Sequence, residues 1–228
     1  MISASLGIGL GSIRRLPLTV LVAASTLVLA LPAGAQRSIT PFATGAVVEH
    51  RVRLDGEVER VAGAVWGAGA AVTMNDWLSF RARLASGTLS ARTPDAESRS
   101  LTEGEATVIL VPDRWIALDA GIGVRTMQTS LARQRWIELR TGAELGIDII
   151  DGSLRGVVQL SLAPSVSVSG QRAPNLAIGA GTGLEYSAGR LQASLGYTLD
   201  RYDFPADASS ARLEQRSVVT ARVGWRVR

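Results

Sequence analysis

The sequence predicts an all-β protein: about ten antiparallel strands, joined in up-and-down order and closed into a barrel, with eight or twelve strands as the alternatives. Three observations predict it. Apolar and polar residues alternate with a period of two along most of the chain beyond residue 36, which is the period of a strand. Tight turns alternate with longer polar connections, so that consecutive segments can pair as hairpins. One face of most segments is apolar, and the other carries too much charge for an ordinary core.

The 228-residue chain opens on a different kind of text. Arg14 and Arg15 precede an apolar run from Leu16 to Leu31, and Ala33-Gly34-Ala35 forms a small-residue cleavage site before Gln36. This is the layout of a secretory signal peptide over 1–35, leaving 36–228 as a single domain. The residues around the Arg pair fit a twin-arginine signal poorly. After the signal, no apolar run approaches the ~20 residues a membrane helix needs, whereas a membrane strand needs only ~9–11.

Strands are expected at 41–54, 57–72, 77–90, 101–111, 115–128, 136–149, 154–168, 176–186, 190–202 and 216–228. The third sets Leu78, Phe80, Ala82 and Leu84 against Ser79, Arg81 and Arg83. The fifth sets Ile116, Leu118, Ala120 and Ile122 against Asp119, Gly121 and Gly123. The sixth and seventh show the pattern best. Ile137, Leu139, Leu145 and Ile147 alternate with Glu138, Arg140, Glu144 and Asp148; the chain turns at Asp151-Gly152-Ser153; Val158, Leu160 and Leu162 then alternate with Arg155 and Gln159. The last three repeat the alternation. The first two are the least regular, and His50 interrupts the apolar face of the first.

Composition narrows the chemistry. All 24 basic residues are Arg. Arg14 and Arg15 belong to the signal, which leaves 22 against 20 acids, interleaved along the chain. Nucleic-acid binding needs clustered basic charge, so no nucleic-acid partner is expected. The absence of Cys excludes a disulfide scaffold. The single His has no second His or Cys to share a metal with, and no cofactor is expected. Gly179–Gly183 (GAGTG) is not followed by the helix that a phosphate-cradling loop requires.

Met74-Asn75-Asp76, Pro112-Asp113-Arg114, Asp151-Gly152-Ser153 and Ser187-Ala188-Gly189 are short turns; Ala91–Ser100 and Asp203–Gln215 are longer and polar. Phe42, Trp77, Trp115, Tyr186 and Trp225 fall on the short-turn side, and Trp136, Tyr202 and Phe204 on the long-loop side. On these features the mature chain resembles the small bacterial outer-membrane β-barrels. The resemblance implies an outer-membrane location, both termini on the periplasmic side, membrane lipid as surroundings, and insertion by the barrel-assembly machinery. The chain departs from the family in ending Trp225-Arg226-Val227-Arg228 and not on an aromatic residue. A soluble barrel of the lipocalin kind is the rival fold, with the apolar face inside and the charged face in water.

In the membrane arrangement the charged face lines the lumen. The expected lumen charges are Arg51, Arg53, Arg81, Arg83, Glu103, Glu105, Asp119, Arg125, Glu138, Arg140, Glu144, Asp148, Arg155, Glu185, Arg222 and Arg226, with Glu49 and Asp200 alongside. Near balance of sign points to paired networks or water-filled space, since an unpaired buried charge costs several kcal/mol. Inward glycines make room for bulky Arg side chains. The leading expectation is a structural or narrow-channel barrel, with no catalytic residues assigned. Two alternatives are a lipid- or peptide-hydrolysing barrel using His50, whose parity on this reading faces lipid, and a binding module acting through the loops at 91–100 and 203–215.

Overall fold

The structure, a computed structural model, describes residues 38–206 and 212–227. The expected signal peptide, and part of the 203–215 loop, lie outside the described residues. Ten strands follow one another: β1 (Ser38–Leu54), β2 (Glu57–Thr73), β3 (Leu78–Ala91), β4 (Arg99–Asp113), β5 (Ile116–Gln128), β6 (Arg133–Ile150), β7 (Leu154–Val168), β8 (Leu176–Ala188), β9 (Leu191–Asp203) and β10 (Arg212–Trp225). Each strand pairs antiparallel with its neighbours in sequence, and β1 pairs with β10 to close the barrel. Closure leaves no open sheet edge, which is the condition for strands to sit in hydrocarbon.

The turns explain the hairpins. Asn75 Oδ1 accepts hydrogen bonds from the N–H groups of Trp77 and Leu78 at 3.1 and 2.8 Å, and Asp113 Oδ1 accepts one from Trp115 N–H at 3.0 Å. Asp55 (φ 50°) and Gly56 (φ 92°) form the two-residue turn between β1 and β2; both central residues at positive φ match the twist of a hairpin. The termini of β1 and β10 lie on the rim that carries the other short turns.

From that rim upward, outward-pointing side chains are mostly apolar, with Thr141 on β6 and Thr182 on β8 among the exceptions. On β5 the apolar ones run Ile116, Leu118, Ala120, Ile122 and Val124; on β6, Ile147, Leu145, Ala143 and Leu139; on β8, Leu184, Ala180 and Ile178; on β10, Val223, Ala221 and Val219. Trp77, Trp115, Tyr186 and Trp225 ring the lower rim with exposed rings. This surface has the apolar character of a lipid-facing belt and, at its lower rim, the aromatic border of one.

Above the belt the polarity inverts. Outward positions become Ser86, Thr88 and Ser90 on β3, Thr102 and Ser100 on β4, Thr126 and Gln128 on β5, Arg135 and Arg133 on β6, and Arg201 on β9. Inward positions become apolar: Val48, Val61, Val65, Ala85, Leu89, Leu101, Met127, Trp136, Val166, Val168, Tyr202, Phe204 and Val218 form one packed cluster. In most strands parity is unchanged and only the chemistry on each side swaps. In β7 the parity itself shifts, because the pairing with β6 slips between Leu139 and Thr141. Such a bulge re-aims side chains, so Leu160 and Leu162 meet lipid while Val166 and Val168 reach the cluster.

Two expectations are corrected by this inversion. Trp136, Tyr202 and Phe204 are not an upper lipid-facing girdle; all three are buried inside, and Phe42 also points inward. The first strand is read with the wrong hand. His50, Val48 and Val52 are buried inside, while Arg51 and Arg53 are exposed outside and Glu49 shares their outward parity. Equating charge with lumen holds only within the belt, and these residues stand above it.

Candidate functional site

The lower lumen is a charged chamber. A cavity of about 270 Å³ is lined by Arg81, Arg83, Arg125, Arg140, Arg216 and Arg222 and by Glu103, Glu105, Asp119, Glu138, Glu185 and Asp200. Arg155 and Glu144 extend the same wall. Cation and carboxylate numbers match, so the chamber carries no large net charge.

The geometry falls into tiers. Across the middle, Arg83 Nη2 lies 3.1 Å from Glu103 and 3.2 Å from Glu105. Arg216 spans to Glu103 at 2.6 Å and to Asp200 at 3.7 Å. Arg140 joins Asp200 at 3.2 Å and Glu138 at 3.3 Å, and the Tyr202 hydroxyl donates to Glu138 at 2.8 Å. These residues come from β3, β4, β6, β9 and β10, so the tier ties opposite walls together. Arg125 lies 4.6 Å above the Trp136 ring and 5.6 Å from that of Tyr202, at the junction of chamber and apolar cluster. Nearer the lower rim, Arg155 approaches Glu144 at 3.7 Å and Glu185 at 3.8 Å, and Arg222 approaches Glu185 at 3.7 Å.

Glycine opposite each large group is a spatial requirement. A Cβ on Gly146 would lie 1.9 Å from Arg155 Nε, and one on Gly142 would lie 2.5 Å from Asp119 Oδ2. The small residue on one strand leaves the volume its neighbour's charge fills.

Of the sequence-predicted residues, the structure brings Arg81, Arg83, Glu103, Glu105, Asp119, Arg125, Glu138, Arg140, Glu144, Arg155, Glu185 and Arg222 to the chamber. It does not bring Arg51 or Arg53, which stand on the outer wall, or Asp148, which is exposed near the lower rim. Arg226 lies just past β10, its N–H bonded to the Arg190 carbonyl at 2.8 Å. Arg216 is the main omission; it shares the even parity of Arg222, and that signal was available in the sequence.

Above the chamber, inside the apolar cluster, His50 Nε2 lies 2.8 Å from Glu214 Oε2, and both side chains are buried. Arg212 Nε donates to the other carboxylate oxygen at 2.8 Å. Here Arg212 and Glu214 lie in β10, which begins earlier than its expected start at 216. His50 Nδ1 has no hydrogen-bond partner, and the dyad has no hydroxyl nucleophile in hydrogen-bond reach among the described residues.

No protein-family model matches the chain, and no curated protein matches it in sequence. Among solved structures, the translocator domain of the autotransporter NalP from Neisseria meningitidis overlays 90% of this chain and 94% of its own, at 13% identity and TM-score 0.45. The β domain of the Bordetella autotransporter BrkA covers 82% of this chain and 98% of its own, at 11% identity and TM-score 0.49. Neisserial surface protein A covers 81% and 96%, at 12% identity and TM-score 0.37. Likenesses this distant carry no function across.

Proposed function

We propose that the chain is an integral outer-membrane barrel with a structural role, closed to solutes, in which an Arg–carboxylate network braces the lumen within the membrane. The observation that carries this reading is the pairing of a charged chamber inside the lipid belt with a packed apolar cluster above it. The chamber is polar and balanced in charge, but its upper end meets Trp136, Tyr202, Leu89 and Leu101, all buried. A ten-stranded barrel is narrow enough for side chains to fill. Arg suits the bracing role because its planar fork holds two carboxylates at once, as Arg83 and Arg216 do.

Among the described residues no hydroxyl lies beside His50, which favours a packing role for the His50–Glu214–Arg212 group over a hydrolytic one, because a nucleophile and its base must lie within hydrogen-bond reach. Planar-bilayer recording of the purified barrel tests the closed reading. No step currents are expected across ordinary voltages; discrete, reproducible conductance steps would establish a channel instead. His50→Ala is expected to leave any background esterase or peptidase signal unchanged, and loss of a robust activity would overturn the non-enzymatic reading.

A further inference from the structure

The outer wall above the lipid belt carries charge in two places, Arg133 and Arg135 on β6 and a longer row across β2, β1, β10 and β9. Arg60, Arg51, Gln215 and Arg201 stand directly opposite one another on β2, β1, β10 and β9. Directly opposed residues on paired strands are about 4.5–5.5 Å apart, so the four form one continuous row. All have outward parity, and each follows the apolar run of its own strand. Ala62 lies below Arg60, Val47 and Glu49 below Arg51, Val219 and Ser217 below Gln215, and Leu199 below Arg201. Arg53 is exposed one outward position beyond Arg51. On β3, β4 and β5 the outward positions above the belt are Ser, Thr or Gln, but Arg92, just past β3, is exposed and follows the register opposite Arg60, its N–H bonded to the Arg60 carbonyl at 2.8 Å.

The guanidinium groups are held but not consumed. Glu49 accepts from Arg51 and, at 3.1 Å, from Arg60; Asp203 accepts from Arg201 at 2.9 Å. The side chains of Arg51, Arg60 and Arg201 are 47%, 42% and 50% exposed, so their remaining donors face outward. Four arginines stand against two carboxylates, leaving an excess of positive charge at the height where lipid headgroups begin. A guanidinium has five donors in a fixed fork that matches phosphate oxygens. The row spans three strand spacings, roughly 14 Å. It sets Arg51 and Arg60 at one end, Arg201 at the other and the amide of Gln215 between.

We propose that this row binds the headgroup of a phosphorylated glycolipid of the outer leaflet, one phosphate at each arginine end and sugar hydroxyls against Gln215. The proposal rests on the membrane reading above and assigns Arg51 and Arg53 a place on the lipid-contacting wall.

The test uses the mature barrel in phosphatidylcholine nanodiscs doped with bisphosphorylated lipid A or its dephosphorylated form, with retained glycolipid counted by native mass spectrometry. Retention of the phosphorylated form is expected to be about tenfold higher, as bidentate charge-assisted contacts provide. The double variant R51Q/R201Q is expected to lose that preference, while R135Q, on β6, keeps it. Heat-modifiable gel mobility verifies folding, and the single variant R201Q serves if the double variant does not fold. Equal retention of both forms, or an undiminished preference in the variant, overturns the proposal. Equal retention of phosphatidylglycerol, or displacement by millimolar inorganic phosphate, overturns the glycolipid source. Extraction of the protein by carbonate wash would defeat the membrane reading itself; resistance to carbonate with no phosphate preference defeats only this site.

Discussion

Trp136→Ala probes the inverted upper half most sharply. Trp136 is 1% exposed, and its ring meets those of Tyr202 at 5.1 Å and Phe204 at 5.9 Å, both edge-on, with Arg125 stacked on one face. Truncating a buried Trp costs about 3–5 kcal/mol. Each edge-to-face pair is worth ~0.5–1.5 kcal/mol beyond burial, and a desolvated Arg–Trp stack up to ~2 kcal/mol. These contributions overlap, so the expected loss is about 4–6 kcal/mol. Urea titration of the refolded barrel in lipid vesicles, followed by far-ultraviolet circular dichroism, reads it as a midpoint shift at constant slope. Trp66→Ala is the matched control: its ring is 70% exposed on the outer wall at the upper edge of the belt, opposite Ser86, so it forfeits contact with lipid but no internal packing, and a smaller loss of about 1–3 kcal/mol is expected. A loss below about 1 kcal/mol for Trp136→Ala, or equal losses for both variants, would refute a packed core above the membrane.

Three further outcomes follow from the chamber and the loops. Arg216→Met leaves Glu103 and Asp200 short of their shared cation and should destabilise by about 3–5 kcal/mol in the same titration, whereas Arg135→Met on the outer wall should fall within about 0.5 kcal/mol of wild type. Gly146→Ala puts a methyl group where the Arg155 guanidinium sits; a loss of about 1–3 kcal/mol is expected, and a double-mutant cycle should show most of it disappearing in an Arg155→Ala background. In the loops, the Ser130 hydroxyl donates to Glu97, and the Ser130 N–H donates to the same oxygen at 3.0 Å; these hydrogen bonds, the hydroxyl's first, hold the Glu97 carboxyl below the usual Glu value. A lowered folded value means the contact is fully present above the unfolded value and is lost as pH falls through the folded one; the Ser130 amide resonance should therefore titrate with a midpoint below ~4.3, and a midpoint above that would contradict the contact.

Much of this barrel is legible in the sequence, and the illegible part has one cause. Strand number, the approximate strand limits other than those of β10, and the sidedness of β3 to β6 within the belt follow from the period of two, because lipid on one side and a polar lumen on the other impose the same alternation throughout the belt. Above the belt, water replaces lipid outside and the interior dries, so the same alternation carries the opposite meaning. Nothing local marks the height at which that exchange happens. On β6, Trp136 and Glu138 share a face, one in the apolar cluster and the other in the chamber. On β1 the exchange falls near Val47 and Val48, adjacent apolar residues on opposite faces, which is why His50 and Arg51 are both misassigned from parity alone. The Leu139/Thr141 slip falls at Ala163-Pro164 of β7, and the proline, which a regular strand interior does not admit, is the one local sign of a bulge there.

The most direct test of the inverted barrel is tryptophan quenching in vesicles, using variants that each retain only Trp66 or only Trp136. Brominated acyl chains are expected to quench Trp66 strongly and Trp136 little, with aqueous iodide reaching neither. Quenching of Trp66 by iodide, with Trp136 open to brominated lipid, would contradict the arrangement of an apolar belt below and a sealed apolar core above.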